Sequence, residues 1–240
     1  MQNILKNSGL VLLRSSNYNY WQYEQFHKYI GKRVLEIGCG LGNLTQYLLK
    51  DSNYLLSLDI KPEAIDFVKQ RFPERKNFHI RQIDVFKEGL HQYSNIHFDT
   101  IVLANVLEHI KDDLKAMRVC YAILHRAKGK LLLLVPAHRF LYGTLDKEAG
   151  HYRRYEIKDM MRLADQSNFK IIDLYAFNFI GALGWYINYC LLKKRNTNNS
   201  ETTMQIGLYD RFIVKPSRLV ENWVRPKIGI SYIAILEARK

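Results

Sequence analysis

Apolar and polar positions along the chain fall into two rhythms. Short, mostly apolar runs occupy residues 34–37, 54–59, 98–104 and 131–136, and 78–84 reads as a further strand ending in an acid. Runs of this length and continuity read as strands buried on both faces, as in a parallel sheet. Helical spacing fills the gaps, at 44–50 and from His109 to about Arg126. The 17 residues from Gly42 to Asp59 accommodate one crossover helix and return the chain to the adjacent parallel position. Ahead of the first strand, Trp21, Phe26 and Ile30 approach helical spacing, which predicts a helix over 20–29 packed on the sheet. Further on, Ile157, Met160, Met161, Leu163 and Ala164 mark the apolar face of a helix over 156–167. A sixth strand follows at 169–175 and a seventh at 230–238. The pattern as a whole is α/β.

The first strand runs into Glu36-Ile37-Gly38-Cys39-Gly40-Leu41-Gly42-Asn43. Glycines at every second position leave a turn whose backbone can take positive φ and approach a ligand closely. The dinucleotide pattern G-x-G-x-x-G would need glycine where Asn43 stands. The second strand ends at Asp59, a carboxylate able to accept both hydroxyl protons of a ribose. The third ends at Asp84, the fourth leads into Asn105-Val106-Leu107-Glu108-His109, and Lys128-Gly129-Lys130 turns into the fifth.

E-x-G-x-G-x-G followed by this ordered series over residues 33–136 resembles the Rossmann-like, class I S-adenosylmethionine-dependent methyltransferases, in their bacterial small-molecule type. The resemblance implies a doubly wound, mostly parallel seven-stranded sheet whose last strand is antiparallel and lies beside the sixth. It also implies S-adenosylmethionine as cofactor, held by Glu36, Gly38, Gly40, Gly42, Asp59, Ile60, Asp84, Val85 and Asn105. Within one domain over 1–240 it suggests a helical cap at 1–32, a cofactor core at 33–136, an acceptor-site loop at 137–155 and a helical insertion at 177–228. Tyr18 and Tyr20 lie where the preceding segment folds over the cofactor in such enzymes, although core packing suits both.

Composition narrows the setting. A chain of 240 residues with 48% hydrophobic content buries a sizeable core. Its three cysteines, Cys39, Cys120 and Cys190, are odd in number and widely spaced, so neither a disulfide framework nor a zinc-finger spacing is present. The opening residues show no secretory pattern, and the expected compartment is the cytoplasm, with room for peripheral contact at the inner membrane face. The net charge of +13 favours anionic partners. Basic residues are scattered, however, apart from Arg153-Arg154 and Lys193-Lys194-Arg195, which is a poor footprint for nucleic acid.

The stretch after the fifth strand, His138 to Tyr155, is poor in aliphatics and rich in groups that donate, accept and titrate. It resembles the "P-A-H…LYG…D…GHYRRY" segment of many bacterial methyltransferases and is expected to line the acceptor pocket through His138, Tyr142, His151 and Arg154. His109, His138 and His151 are the candidate bases, and Tyr155 a candidate for orienting the acceptor. Glu108-His109 also resembles the E-x-x-E-H metal motif of small-RNA terminal methyltransferases and of some quinone O-methyltransferases. Asn105 stands where the first glutamate belongs, so no metal is expected. Base methylation is disfavoured because Asn105 is not followed by two prolines and an aromatic, and because Pro136 precedes Ala137 rather than cysteine.

Between the sixth and seventh strands a short turn would suffice in this family, yet more than 50 residues intervene. They open with an apolar run over 177–192, interrupted by Asn178 and Asn188 and shorter than the roughly 20 residues of a spanning helix. A polar linker at 196–203 leads to a second helix over about 205–223. The pair is expected to form a lid over a hydrophobic acceptor, with membrane contact through 177–195, an oligomer contact, or simple packing of the two helices as the other readings. The sequence therefore points to methyl transfer onto a small or lipid-like acceptor, at oxygen. Nucleic-acid methylation and non-catalytic cofactor binding are the alternatives.

Overall fold

The computed structural model describes residues 15–89, 93, 95–194 and 200–240. The first 14 residues of the expected N-terminal cap, Arg195 of the basic cluster and the linker positions 196–199 lie outside them.

Seven strands form one sheet: β1 (Arg33–Ile37), β2 (Tyr54–Asp59), β3 (Phe78–Gln82), β4 (Thr100–Ala104), β5 (Lys130–Pro136), β6 (Phe169–Phe177) and β7 (Ser231–Ala238). Their order is β3-β2-β1-β4-β5-β7-β6. β1 to β5 pair in parallel, and β7 runs antiparallel between β5 and β6. Alternate residues of each strand feed opposite faces. Leu35, Leu56, Ile101 and Leu133 enter one core, while Val34, Leu55, Val102 and Leu132 enter the other, all fully buried. This two-sided burial is why the strands are continuous apolar runs.

Helices cover both faces. On one side lie α1 (Ser16–His27), α2 (Thr45–Asp51) and α3 (Pro62–Arg71), contributing Trp21, Phe26, Leu48, Ile65 and Val68. α4 (Val85–Glu88) is a single turn after β3. On the other side α5 (Asp113–Leu124) buries Ala116, Met117, Cys120 and Leu124. Each start has a local cause: proline in the first turn of α3, Asp84 accepting from the Phe86 amide for α4, Asp112 accepting from the Lys115 amide for α5. The expected loop at 137–155 contains a helix, α6 (Thr144–Ala149), and α7 (Ile157–Gln166) completes the second layer with Met160, Leu163 and Ala164.

The insertion opens at Asn178, so Phe177 belongs to β6 and is 2% exposed in the core against Trp21. α8 (Phe179–Trp185) continues into a π-helical turn at Tyr186–Leu191. α9 (Ser200–Leu208), a second π turn at Tyr209–Ile213 and α10 (Val214–Trp223) make the return arm. Asn178 ties the arms together. In the left-handed region at φ 64°, its side-chain oxygen accepts from the Gly181 amide (2.8 Å) and the Tyr209 hydroxyl (2.5 Å). Its amide donates to Glu221, and its carbonyl accepts from the Ile230 amide just before β7. Among the described residues the two arms do not pack along each other. They part around an apolar groove of ≈ 630 Å³ lined by Phe179, Ile180, Ile213, Val220 and Val224.

Candidate functional site

The strand order reverses between β1 and β4, and in open α/β sheets ligands bind beyond the carboxyl ends of the strands at such a point. Two loops flank it. After β1, Gly38, Gly40 and Gly42 all have positive φ (77°, 52° and 77°). The Gly38 and Cys39 amides both donate to the Leu58 carbonyl, which pins the turn to β2. A Cβ at Gly38 would meet Val106 Cγ2 at 2.3 Å, whereas one at Gly40 would meet nothing within 4 Å. The loop thus packs tightly against the β4 side and leaves open space over Gly40.

Asp59 closes the cradle. Its two oxygens accept one amide each, from Gly40 and Lys61 at 2.9 Å, and each keeps a lone pair for a further donor. Ile60 beside it is 60% exposed, an apolar surface at the cradle's edge. Glu36 is placed otherwise than the resemblance suggests. It is buried beneath the loop, where Oε2 accepts the hydroxyls of Thr45 (2.7 Å) and Ser57 (2.6 Å), and burial raises its carboxyl to about 7. Asp84 caps α4 and pairs with Lys87, and Val85 buries its side chain. Asn105 follows β4 exposed, at φ 54°, a conformation asparagine tolerates.

Beyond Asn105, the turn Leu107–His109 carries two of the groups singled out in the sequence. His109 is exposed, and its ring lies edge-on to that of His151, centroids 4.6 Å apart. Desolvation, then the neighbouring His151 and Lys61, hold His109 down near pKa 4. His151 comes from the loop after α6. Its Nδ1 lies 2.8 Å from Asp146 Oδ1 and its Nε2 3.9 Å from Glu108 Oε1. Glu108 is fully buried with neither carboxylate oxygen hydrogen-bonded, and burial pushes its pKa up to about 8.

The remaining sequence candidates part from this pair. Tyr155 is 2% exposed, its hydroxyl donating to the Leu107 carbonyl and Asp113, so it braces the loop from inside and cannot orient an acceptor. Burial holds its phenol far above the usual range. His138, at φ 59°, lies against Tyr232 (3.2 Å) and Glu156 in a separate groove, because the bridge between Ala137 and Tyr155 turns it toward β7. Arg154 is 3% exposed. Its Nε reaches both oxygens of Asp146 at 3.0 Å, Nη1 reaches the Ala137 carbonyl, and Trp185 stacks on it at 4.6 Å. Tyr142 donates to the His151 carbonyl. Both are supports rather than pocket lining. Tyr18 packs between Trp21 and Phe177, and Tyr20 faces Tyr23, Tyr47 and Arg218. Asp146 is the residue that the sequence alone did not single out. Its position five before His151 carried no recognisable spacing, and only the loop path brings the two together.

Residues 35–131 match the family model described as a methyltransferase domain. A "Ubiquinone biosynthesis O-methyltransferase" of Haemophilus ducreyi is 24% identical over 183 residues, covering 70% of this chain and 77% of its own. Among solved structures, an S-adenosylmethionine dependent methyltransferase from Mesorhizobium loti superimposes with a TM-score of 0.57 at 14% identity, covering 87% of this chain and 92% of that one. The N-methyltransferase NodS from Bradyrhizobium japonicum WM9, in complex with S-adenosyl-L-homocysteine, does so with 0.54 at 15% identity, over 95% and 84%. With the sheet order, the antiparallel last strand and the glycine loop, these matches show a methyltransferase domain over residues 35–131 in a chain with the fold of S-adenosylmethionine-dependent methyltransferases.

Proposed function

We propose that this enzyme holds its cofactor over Gly38–Gly42 and Asp59 and methylates a hydroxyl of a small, lipid-like acceptor in the crevice faced by His109 and His151. The residues suit the cofactor. The space over Gly40 admits the ligand, the free lone pairs of Asp59 accept ribose hydroxyls, and Ile60 offers an apolar face to the adenine. The bound cofactor supplies a methyl on a positively charged sulfur. The protein contributes position, since much of the rate comes from holding the nucleophile in near-attack geometry. Asp146 fixes the tautomer of His151 with the proton on Nδ1, so that Nε2 turns a lone pair toward Glu108 and His109. A hydroxyl placed beside these imidazoles has a proton acceptor at hand.

The observation that carries the reading is the pairing of His109 with His151 at the strand ends, next to the cradle. Two features favour an apolar acceptor. The inserted arms expose Phe179, Ile180, Leu183, Leu219, Val220 and Trp223, the last 90% exposed, and the curated relative carries a quinone-pathway name. No described helix is long and apolar enough to cross a membrane, so contact with a bilayer would be peripheral.

Release of S-adenosylhomocysteine, measured with prenylated catechols, water-soluble catechols, small amines and RNA, tests the proposal. Turnover is expected with the prenylated phenolic oxygens and is expected to fall at least about 100-fold in His151→Ala. Methylation of RNA or of amines in preference to the hydroxyls would overturn it.

A further inference from the structure

Two grooves of different character share one lysine. The apolar groove between the inserted arms is lined by Lys227 as well as by Phe179, Ile180, Val220 and Val224. The groove beside His138, ≈ 670 Å³, is lined by Lys227 again, with Glu156, Lys158 and Tyr232. Both volumes fall in the range of small-molecule sites, about 300–1,000 Å³. Lys227 is held at this junction by its flanks. Arg225 pairs with both oxygens of Asp173 (2.8 and 2.9 Å), and Gly229 runs so close to β6 that a Cβ there would collide with the Phe177 carbonyl.

The groove beside His138 has an unused set of donors. Arg139 is taken up by both oxygens of Asp159 (2.9 and 2.8 Å). Lys158 and Lys227 remain, both exposed, against the one carboxylate of Glu156, which already accepts the Arg139 amide at 2.8 Å. His138 lies in the floor, 8% exposed and at φ 59°, a backbone conformation that is costly for a residue other than glycine. Burial keeps its ring neutral. The Tyr232 hydroxyl donates to Nδ1 (3.2 Å), so the ring proton sits on Nε2, and Nε2 has no hydrogen-bond partner. A buried donor left unsatisfied is costly, and it marks a place where an acceptor oxygen belongs.

We infer that the two grooves together bind one long-chain lipid phosphate, its phosphate monoester among Lys227, Lys158 and His138 and its chain along Val220 and Val224. Three donors from three elements, the segment before β7, the first turn of α7 and the turn after β5, suit an anion with several oxygens. An uncharged lipid would leave those donors unused, and free phosphate would leave the apolar groove unused. A bilayer surface would meet the exposed apolar tips of the arms without reaching a histidine that is 8% exposed. Arg154 joins this place to the catalytic side. Its guanidinium holds Asp146, the partner of His151, and also the carbonyls of Ala137, next to His138, and of Ile230. An acceptor anchored by its phosphate would be presented to His151 from the Arg154 side, a role that rests on the acceptor reading above, whereas the binding itself does not.

The test is titration calorimetry on the full-length protein with farnesyl phosphate, farnesol and inorganic phosphate, each below its aggregation concentration. Wild type is compared with Lys227→Glu, Val220→Glu and His138→Asn, the last keeping a residue that tolerates positive φ. One farnesyl phosphate per chain is expected, with farnesol and inorganic phosphate each at least about tenfold weaker. Lys227→Glu and His138→Asn should weaken farnesyl phosphate and leave farnesol unchanged, whereas Val220→Glu should weaken both. Melting temperatures identify any variant that fails to fold, and Lys227 and Val220, both exposed, keep the test independent of His138. Equal affinity for farnesol and farnesyl phosphate, unchanged farnesyl phosphate binding in Lys227→Glu, or uptake only above the aggregation concentration would overturn the assignment. S-adenosylhomocysteine affinity, expected unchanged in Lys227→Glu and Val220→Glu, separates that failure from failure of the methyltransferase reading.

Discussion

Two glycines separated by a single residue in the same loop answer to different constraints. A methyl on Gly38 would overlap Val106 Cγ2 at 2.3 Å, so Gly38→Ala must displace the turn after β4. A methyl on Gly40 meets only open space and costs about 1–2 kcal/mol for its left-handed backbone. Gly38→Ala is therefore expected to lose the greater part of the folding stability. Gly40→Ala should fold yet bind S-adenosylhomocysteine at least about tenfold more weakly, as denaturation and calorimetry on both variants would show. Glu36, under the same loop, makes stability depend on pH. Its folded pKa of about 7 lies above the ordinary carboxylate value, chiefly through burial, so the protonated form is favoured in the native state. That contribution is whole below the ordinary value and is lost as pH rises through about 7. Between about pH 5 and pH 8, wild-type stability should fall relative to Glu36→Gln by up to about 1.4 kcal/mol per pH unit. Parallel curves for the two proteins would mean that Glu36 is ionised throughout.

Among the elements, the strands and the cofactor loop were legible because their signals are local. β2 has the predicted bounds, and β1, β5 and β7 differ by one residue at one end. The acceptor side was not, because what matters there is decided by long-range closure. The bridge between Ala137 and Tyr155 sends His138 toward β7 and His151 toward Glu108, although both lie in one apparent loop. Arg154 and Tyr155 looked like pocket residues for their polarity, and each instead finds its partners inside. Asn178, read as a polar break in an apolar run, is the junction of both inserted arms. Asn178→Ala removes a cap and a buried acceptor, and is expected to destabilise by about 2–4 kcal/mol in chemical denaturation. The return arm ends on Trp223, 90% exposed, with Arg225 and Lys227 close behind in sequence. Flotation with anionic vesicles at low salt should carry the protein upward, and Trp223→Ser should reduce the floated fraction. Wild type left entirely in the lower fraction would remove the bilayer from the account and leave the groove to an acceptor alone.

At the scale of the molecule, the inserted return arm is bound into the fold through residues interleaved with those that line the groove. Asp210 accepts from the Asn17 and Tyr18 amides at the start of α1, and Arg218 pairs with Glu24 further along that helix. α1 in turn covers the sheet beside the cofactor loop, with Tyr47 of α2 stacked on Tyr23. The arm that lines the apolar groove is thus anchored on the cofactor half. The sheet has a further property that bears on how such a molecule comes into being. β7 is the last strand along the chain, yet it occupies an interior position, hydrogen-bonded to β5 on one side and β6 on the other. β1 to β4 can assemble from neighbouring strand–helix units, whereas β6 has no strand to pair with until β7 arrives across residues 178–230. During synthesis the cofactor half is then a nascent structure awaiting completion, and the edge of β5 stays open to any passing strand for as long as the insertion takes to emerge. Pulse-labelled hydrogen exchange should find β1, β2 and β4 protected before β5 and β6. A chain that stalls before Ser231 would present that bare edge to chaperones rather than to solvent.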